Sequence, residues 1–170
     1  MLLEVYARIK DFEQYAISNY GEVINIKTGR QMKIGTDKKG YSVVDFSINS
    51  KKKRFKIHRL VGLAFLDNNN NIDNKTLIDH KDNNKKNNCL LNLRWANHFE
   101  NNRNRKISSV NNTGVKGVSY LKDKKKWRAQ ITYNKKMIHI GYYEDIESAK
   151  IARQSKALEL YGEFLNECEK

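Results

Sequence analysis

The chain of 170 residues contains no proline, and its apolar residues arrive in short alternating runs broken by glycine, asparagine and charge. Alternation places one side of an extended segment in a core and the other in solvent. Residues 3–50 read this way through YAISNYGEVINI, the TGR turn, QMKI and TDKKGYSVVDFSI. Tyr20-Gly21 and Lys39-Gly40 stand between the runs as hairpin punctuation, so a small antiparallel sheet is predicted. SKKKRFKI continues as a basic turn and strand, and residues 58–66 (HRLVGLAFL) are apolar enough for a short buried helix. Residues 68–75 form a polar loop. Residues 77–95 hold two short apolar runs, LIDH and LRW, around a loop rich in asparagine and lysine. A polar helix over 97–106 and a linker over 108–114 follow. Three strands (VKGVSYL, KWRAQITYN, KMIHIGYY) and a helix over 146–160 complete an α+β pattern.

Charge narrows the partner. Lys and Arg number 33 against 19 Asp and Glu, a net of +14. Residues 101–142 carry 11 basic side chains against Asp123 alone, whereas 143–170 are net acidic. A central positive band beside an acidic tail suits a docked polyanion, with the tail turned away. No stretch approaches the roughly 20 apolar residues of a spanning helix, which argues against a membrane partner. Glu4 and Arg8 interrupt the apolar block that an export signal needs, so an intracellular, unsecreted protein is expected. Cys89 and Cys168 are too few for a disulfide framework or a zinc site of paired CxxC motifs.

LIDHKDNNKKNNCLLNLRW places Asp79 beside His80, with Asn92 beyond the loop and Asn101 six positions after Trp95. A carboxylate, an imidazole and amide oxygens are the parts that metal-assisted phosphodiester hydrolysis needs. Oxygen donors suit a hard divalent cation, and imidazole can take a proton from water near neutral pH. The same spacing serves a turn histidine capped by aspartate, with the amides filling hairpin bonds. Adjacent strand residues face opposite ways, so Asp79 and His80 converge only where a strand ends or bulges.

HRLVGLAFL followed by LIDHKDNNKKNNCLLNLRWANHFENNRN resembles the HNH nucleases, in particular the homing-endonuclease branch. The resemblance implies a ββα-metal fold whose irregular strand end brings the pair together. It implies His80 as general base, Asp79 and Asn101 as metal ligands, and Asn92 as the residue that holds the loop and orients the histidine. Asn101 stands where the motif often has histidine, which favours magnesium, with manganese as the alternative, over zinc. His58 sits in the apolar helix and reads as a packing residue. His98 ranks behind Asn101 as a ligand.

Residues 115–165 resemble the APETALA-type (ethylene-response-factor-like) DNA-binding domain through Gly117-Val118, Trp127-Arg128-Ala129, Ile140-Gly141, Ala149, Ala152 and Gly162. Alternation puts Trp127, Ala129 and Ile131 on one face, and Arg128, Gln130 and Thr132 on the other. His139 also points outward, Lys116 lies nearby, and Asp145 is positioned as an N-cap. The helix is expected to present Ala149, Ala152, Lys156 and Leu160 to the sheet. Residues 15–34 (YAISNYGEVINIKTGRQMKI) resemble the small β module that precedes HNH in such enzymes. Its backbone contacts are expected from Lys27, Arg30 and Lys33, continuing with Lys51, Lys52, Lys53 and Arg54, and then Arg103 and Arg105.

The organisation expected is a β module over 1–50, an HNH nuclease over 51–107, a linker over 108–114 and a DNA-binding domain over 115–170. The expected function is site-specific cleavage of double-stranded DNA by a monomer needing no obligate protein partner. The alternative is a sequence-specific DNA-binding regulator with an inactive nuclease centre. The enzymatic reading requires Asp79 and His80 to meet the DNA backbone.

Overall fold

The structure is a computed structural model that describes residues 3–48, 51–67, 75–103 and 111–164. Two compact units divide the chain, Met1–His98 and Phe99–Lys170. Lys106 and the first half of the expected linker lie outside the described residues, as does Arg105.

In the first unit, β1 (Tyr6–Ile9), β2 (Phe12–Ser18) and β3 (Val23–Asn25) form one antiparallel sheet. A second sheet contains β4 (Gly35–Thr36), β5 (Ser42–Ile48) and β6 (Lys51–Lys56). QMKI, expected as a strand, supplies only a single bridge between Gln31 and Ile24. β6 runs without a break into α1 (Ile57–Phe65), and the hairpin β7 (Leu77–His80) with β8 (Leu93–Ala96) follows. One apolar core unites these parts: Ile17, Phe46, Ile57, Val61 and Leu93 are all buried. Tyr15 stacks on Phe46 with ring centroids 4.3 Å apart, tying the two three-stranded sheets together. The N-terminal sheet therefore shares its core with the elements that carry the Asp-His pair. Gly62 lets α1 lie against β7, because a Cβ there would collide with the side chain of Ile78.

α2 (His98–Arg103) falls within the helix expected over 97–106, whose last three residues lie outside the described residues. In the second unit, β9 (Val118–Leu121), β10 (Lys126–Tyr133) and β11 (Lys136–Tyr143) form a sheet ordered β11-β10-β9. Helix α3 (Ile146–Tyr161) packs on it. Asp145 caps α3: its carboxylate accepts from Ser148 N at 2.8 Å and from Ser148 Oγ at 2.7 Å. The buried residues of α3 are Ala149, Arg153, Ala157 and Tyr161; of the expected set, Ala149 is in the core and Leu160 packs half-buried against it, while Ala152 and Lys156 are only half-buried. Arg153 fits because residue 117 is glycine, where a Cβ would meet Gln130 O and Arg153 Nε. The Arg153 guanidinium lies over the Tyr161 ring at 5.9 Å. Among the described residues, no helix is long and apolar enough to cross a membrane.

Candidate active site

β7 ends at His80, and the cross-strand register sets what each member of the pair meets. Asp79 lies opposite Arg94, and His80 opposite Leu93. Directly opposed residues share a face of the hairpin. The Asp79 carboxylate accepts from Arg94 Nε at 3.2 Å and Nη2 at 3.1 Å, both on Oδ2. His80 has other neighbours. Its Nε2 lies 3.2 Å from Asn88 Oδ1, its ring meets His58 edge to face at 4.7 Å, and Tyr41 is 6.2 Å away. Both residues are buried, with relative exposures of 7% and 5%.

The loop from 81 to 92 is closed by amides. Lys81 N donates to Asn92 O at 2.8 Å, continuing the hairpin past His80. Asn92 donates through Nδ2 to Asp82 Oδ1 at 2.9 Å and to Asn87 O at 2.8 Å, and accepts from Asp82 N at 3.1 Å. Asp82 also accepts from Asn84 N and Asn87 Nδ2, each at 2.7 Å. Burial alone would raise the Asp82 carboxyl, but these bonds outweigh it and hold it below its usual range. Asn92 is thus a fastener of the loop.

Burial lowers the His80 pKa, and the Asn88 bond, Asp79 and Asp82 offset part of that shift. His58 is pushed down to about 3, by burial first, then by His80, Lys56 and Arg59. Its Nδ1 has no hydrogen-bond partner among the described residues. Lys56 and Lys85 place their ammonium groups over the Tyr41 ring at 3.9 and 4.7 Å. The site is therefore a pair of neutral imidazoles under a basic rim, beside a paired carboxylate. Asn88, Arg94, Asp82 and Tyr41 were not singled out in the sequence. Each acts through a partner across a strand or loop, and register is not visible in spacing.

Asn101 is exposed on α2, beyond the division between the two units. Among the described residues there is no group of three or more His, Cys, Asp or Glu side chains that could hold a metal. The donors proposed by motif are one carboxylate and one amide, a set that fits a hard, water-retaining cation rather than zinc.

The expected DNA contacts fall into several groups. Lys27, Arg30 and Lys33 are exposed before β4. Lys51, Lys52, Lys53 and Arg54 lie on β6, not in a turn, so alternate members face opposite ways. Lys52 and Arg54 line a groove with Lys33 and Asp45. Arg54 is engaged there by the Asp45 carboxylate through two bonds of 2.8 Å. Arg103 is the last described residue of α2, with its side chain outside the described residues. On the second unit, pairing aligns Arg128 with Ser119 and Tyr142, Gln130 with His139, and Thr132 with Met137. These residues share the face away from α3. Arg128 Nη2 donates to Ser119 Oγ at 3.3 Å, and the His139 ring lies 4.5 Å from Tyr142. Tyr142, absent from the expected set, completes that face. Lys116 is half-buried.

Fold and site together define a small α+β protein with an acid–imidazole pair closing a hairpin. Residues 4–47 match the NUMOD4 motif. The chain is 41% identical over 90 residues to an uncharacterized HNH endonuclease, L245, of Acanthamoeba polyphaga mimivirus, covering 53% of this chain and 26% of that one. It is 40% identical over 89 residues to DNA endonuclease I-HmuI of Bacillus phage SP01, covering 52% and 49%. Protein 3.8 of Escherichia phage T7 is 34% identical over 87 residues, covering 51% and 71%. The solved structure of I-HmuI, described as DNA binding and cleavage by an HNH homing endonuclease, superposes with a TM-score of 0.51 at 36% identity. That superposition covers 59% of this chain and 56% of that one. The relatives whose names state an activity are HNH endonucleases, and the chain is similar to them over about half of its length. It spans about half the length of I-HmuI and about a quarter of L245.

Proposed function

We propose that the chain is a site-specific endonuclease of the homing type, hydrolysing phosphodiester bonds in double-stranded DNA. The observation that carries this reading is a buried, hydrogen-bonded His80 next to Asp79 at the end of β7. A neutral imidazole accepts the proton of the attacking water. Asp79, and by motif Asn101, are assigned as the oxygen ligands of a divalent cation, magnesium or manganese. When bound, that cation supplies charge stabilisation to the phosphate and the departing 3′ oxygen. Arg94 orients the Asp79 carboxylate, and Asn92 keeps the loop closed behind His80.

The flanks are assigned to holding duplex DNA. In the first unit this falls to Lys27, Arg30, Lys33, Lys52 and Arg54, with Lys51 and Lys53 on the opposite side of β6. The second unit is read as an APETALA-type domain that offers Arg128, Gln130, Thr132 and His139 to the major groove, where Arg pairs with guanine and Gln with adenine. Functional roles are thereby divided among a β module (1–50), a nuclease (51–107), a linker (108–114) and a reader (115–170), acting as a monomer inside a cell.

The near-complete burial of Asp79 and its bond to Arg94 favour a second reading, a DNA-binding regulator whose centre does not turn over. Plasmid nicking separates the two. Cleavage that stops on chelation and in His80→Ala, with DNA affinity within a few-fold, supports the nuclease. Binding without cleavage under every divalent cation supports the regulator.

A further inference from the structure

We propose that Asn88 is the positioning residue of His80, and that the turn at 18–21 of the N-terminal sheet holds Asn88 in place. The inference rests on the reading of His80 as the base. Asn92 commits both amide protons and its carbonyl to Asp82 and Asn87, so it fastens the loop. Asn88 instead faces the imidazole, with Oδ1 3.2 Å from Nε2. The direction of that bond follows from the other end of the amide. Asn88 Nδ2 lies 2.9 Å from Lys86 O, an atom that can only accept, so Oδ1 must be the atom turned to His80. An amide oxygen only accepts as well. The proton is therefore on Nε2, and the basic lone pair of the neutral ring is on Nδ1.

The N-terminal sheet closes on Asn88 from behind. Gly21 adopts φ +94°, and a Cβ there would stand 3.0 Å from Asn88 Cβ and 2.9 Å from Ile57 Cγ2. Asn19 O accepts from Leu90 N at 2.8 Å, two residues beyond Asn88. The turn itself is internally tied. Ser18 Oγ accepts from Tyr20 N at 3.2 Å and Glu22 N at 3.0 Å, and Gly21 N donates to Ser18 O at 3.0 Å. Asn19 anchors the leading segment through Leu3 O at 2.9 Å and Val5 N at 3.1 Å. The segment matching NUMOD4 thus forms one wall of the imidazole's pocket and has a task in catalysis apart from any grip on DNA.

Two readouts on the full-length, ¹⁵N-labelled protein test this. The ring nitrogens of His80, assigned by their loss in His80→Ala, should show a protonated Nε2 whose proton exchanges slowly and resonates downfield. In Asn88→Ala that proton should move upfield and exchange faster, and kcat for cleavage should fall about 10- to 100-fold with KM within twofold. Gly21→Ala, remote from the ring, should shift the same resonance in the same direction. A wild-type ring protonated on Nδ1, or an Nε2–H signal unchanged in Asn88→Ala, overturns the proposal. If the ring signals behave as expected while His80→Ala cleaves normally, Asn88 keeps its positioning role and the assignment of the base fails.

Discussion

Replacing His58 with phenylalanine should make the protein more resistant to acid. In the folded chain His58 titrates at about 3 against an ordinary 6.5, because protonation would place a charge in the core beside His80, Lys56 and Arg59, with only Asp37 opposing. The unfolded chain has no such restraint. Between the two values the unfolded state binds a proton that the folded state refuses, so stability present above pH 6.5 drains away as pH falls towards 3. At pH 5 the linkage gives about 2 kcal/mol lost relative to pH 7.5, and about 3 kcal/mol by pH 4. Phenylalanine keeps a ring against Tyr41 and His80 and removes the proton site. Its cost at neutral pH should stay under about 1.5 kcal/mol. The assay is urea unfolding of both proteins from pH 7.5 to pH 4, followed by circular dichroism. His80 is lowered in the same direction and touches His58, so the difference between the curves reports His58 together with its coupling to His80. Parallel loss of stability in the two proteins would refute the reasoning, since it would mean that position 58 takes up its proton without unfolding.

Three further outcomes are expected. Gly62→Ala drives a methyl into Ile78, one residue before Asp79, and should cost about 1–3 kcal/mol in thermal unfolding. Arg94→Met leaves the buried Asp79 carboxylate without its guanidinium and should destabilise by about 3–5 kcal/mol, read by urea titration, whereas an exposed pair such as Lys156–Glu159 should give under about 1 kcal/mol. Affinity for duplex DNA should fall by about 0.9 log units per log unit of salt for each phosphate neutralised, and Lys27→Ala should reduce that slope by about one contact.

The strands of both units were legible because their signal is local. Alternation in KWRAQITY places β10, and short apolar runs on either side of Tyr20-Gly21 and Lys39-Gly40 mark β2 and β5. The Asp-His pair was legible for the same reason, as two chemically distinct neighbours at the end of a short apolar run. What escaped depends on distance along the chain. Asn88 is one of several asparagines after His80, and only the closed loop shows which of them turns its oxygen to the ring. Arg94 looked like part of an apolar run until the hairpin register set it against Asp79. KKKR read as a basic turn because charge hides alternation; as β6 it divides its cations between two faces. Arg153 was passed over since no helical periodicity marks a charged side chain as buried, and the space it needs is created 36 positions earlier, at Gly117.

That last arrangement bears on transplanting the outward face of this sheet between related chains. Arg128, Gln130 and Thr132 stand on the far surface of the sheet from α3, so their identities can change without disturbing what lies beneath. Residues 117 and 153 have no such liberty. A chimera that imports either one alone inherits a guanidinium with no room or a void with no tenant, whereas moving the two as a unit transfers the whole underside intact.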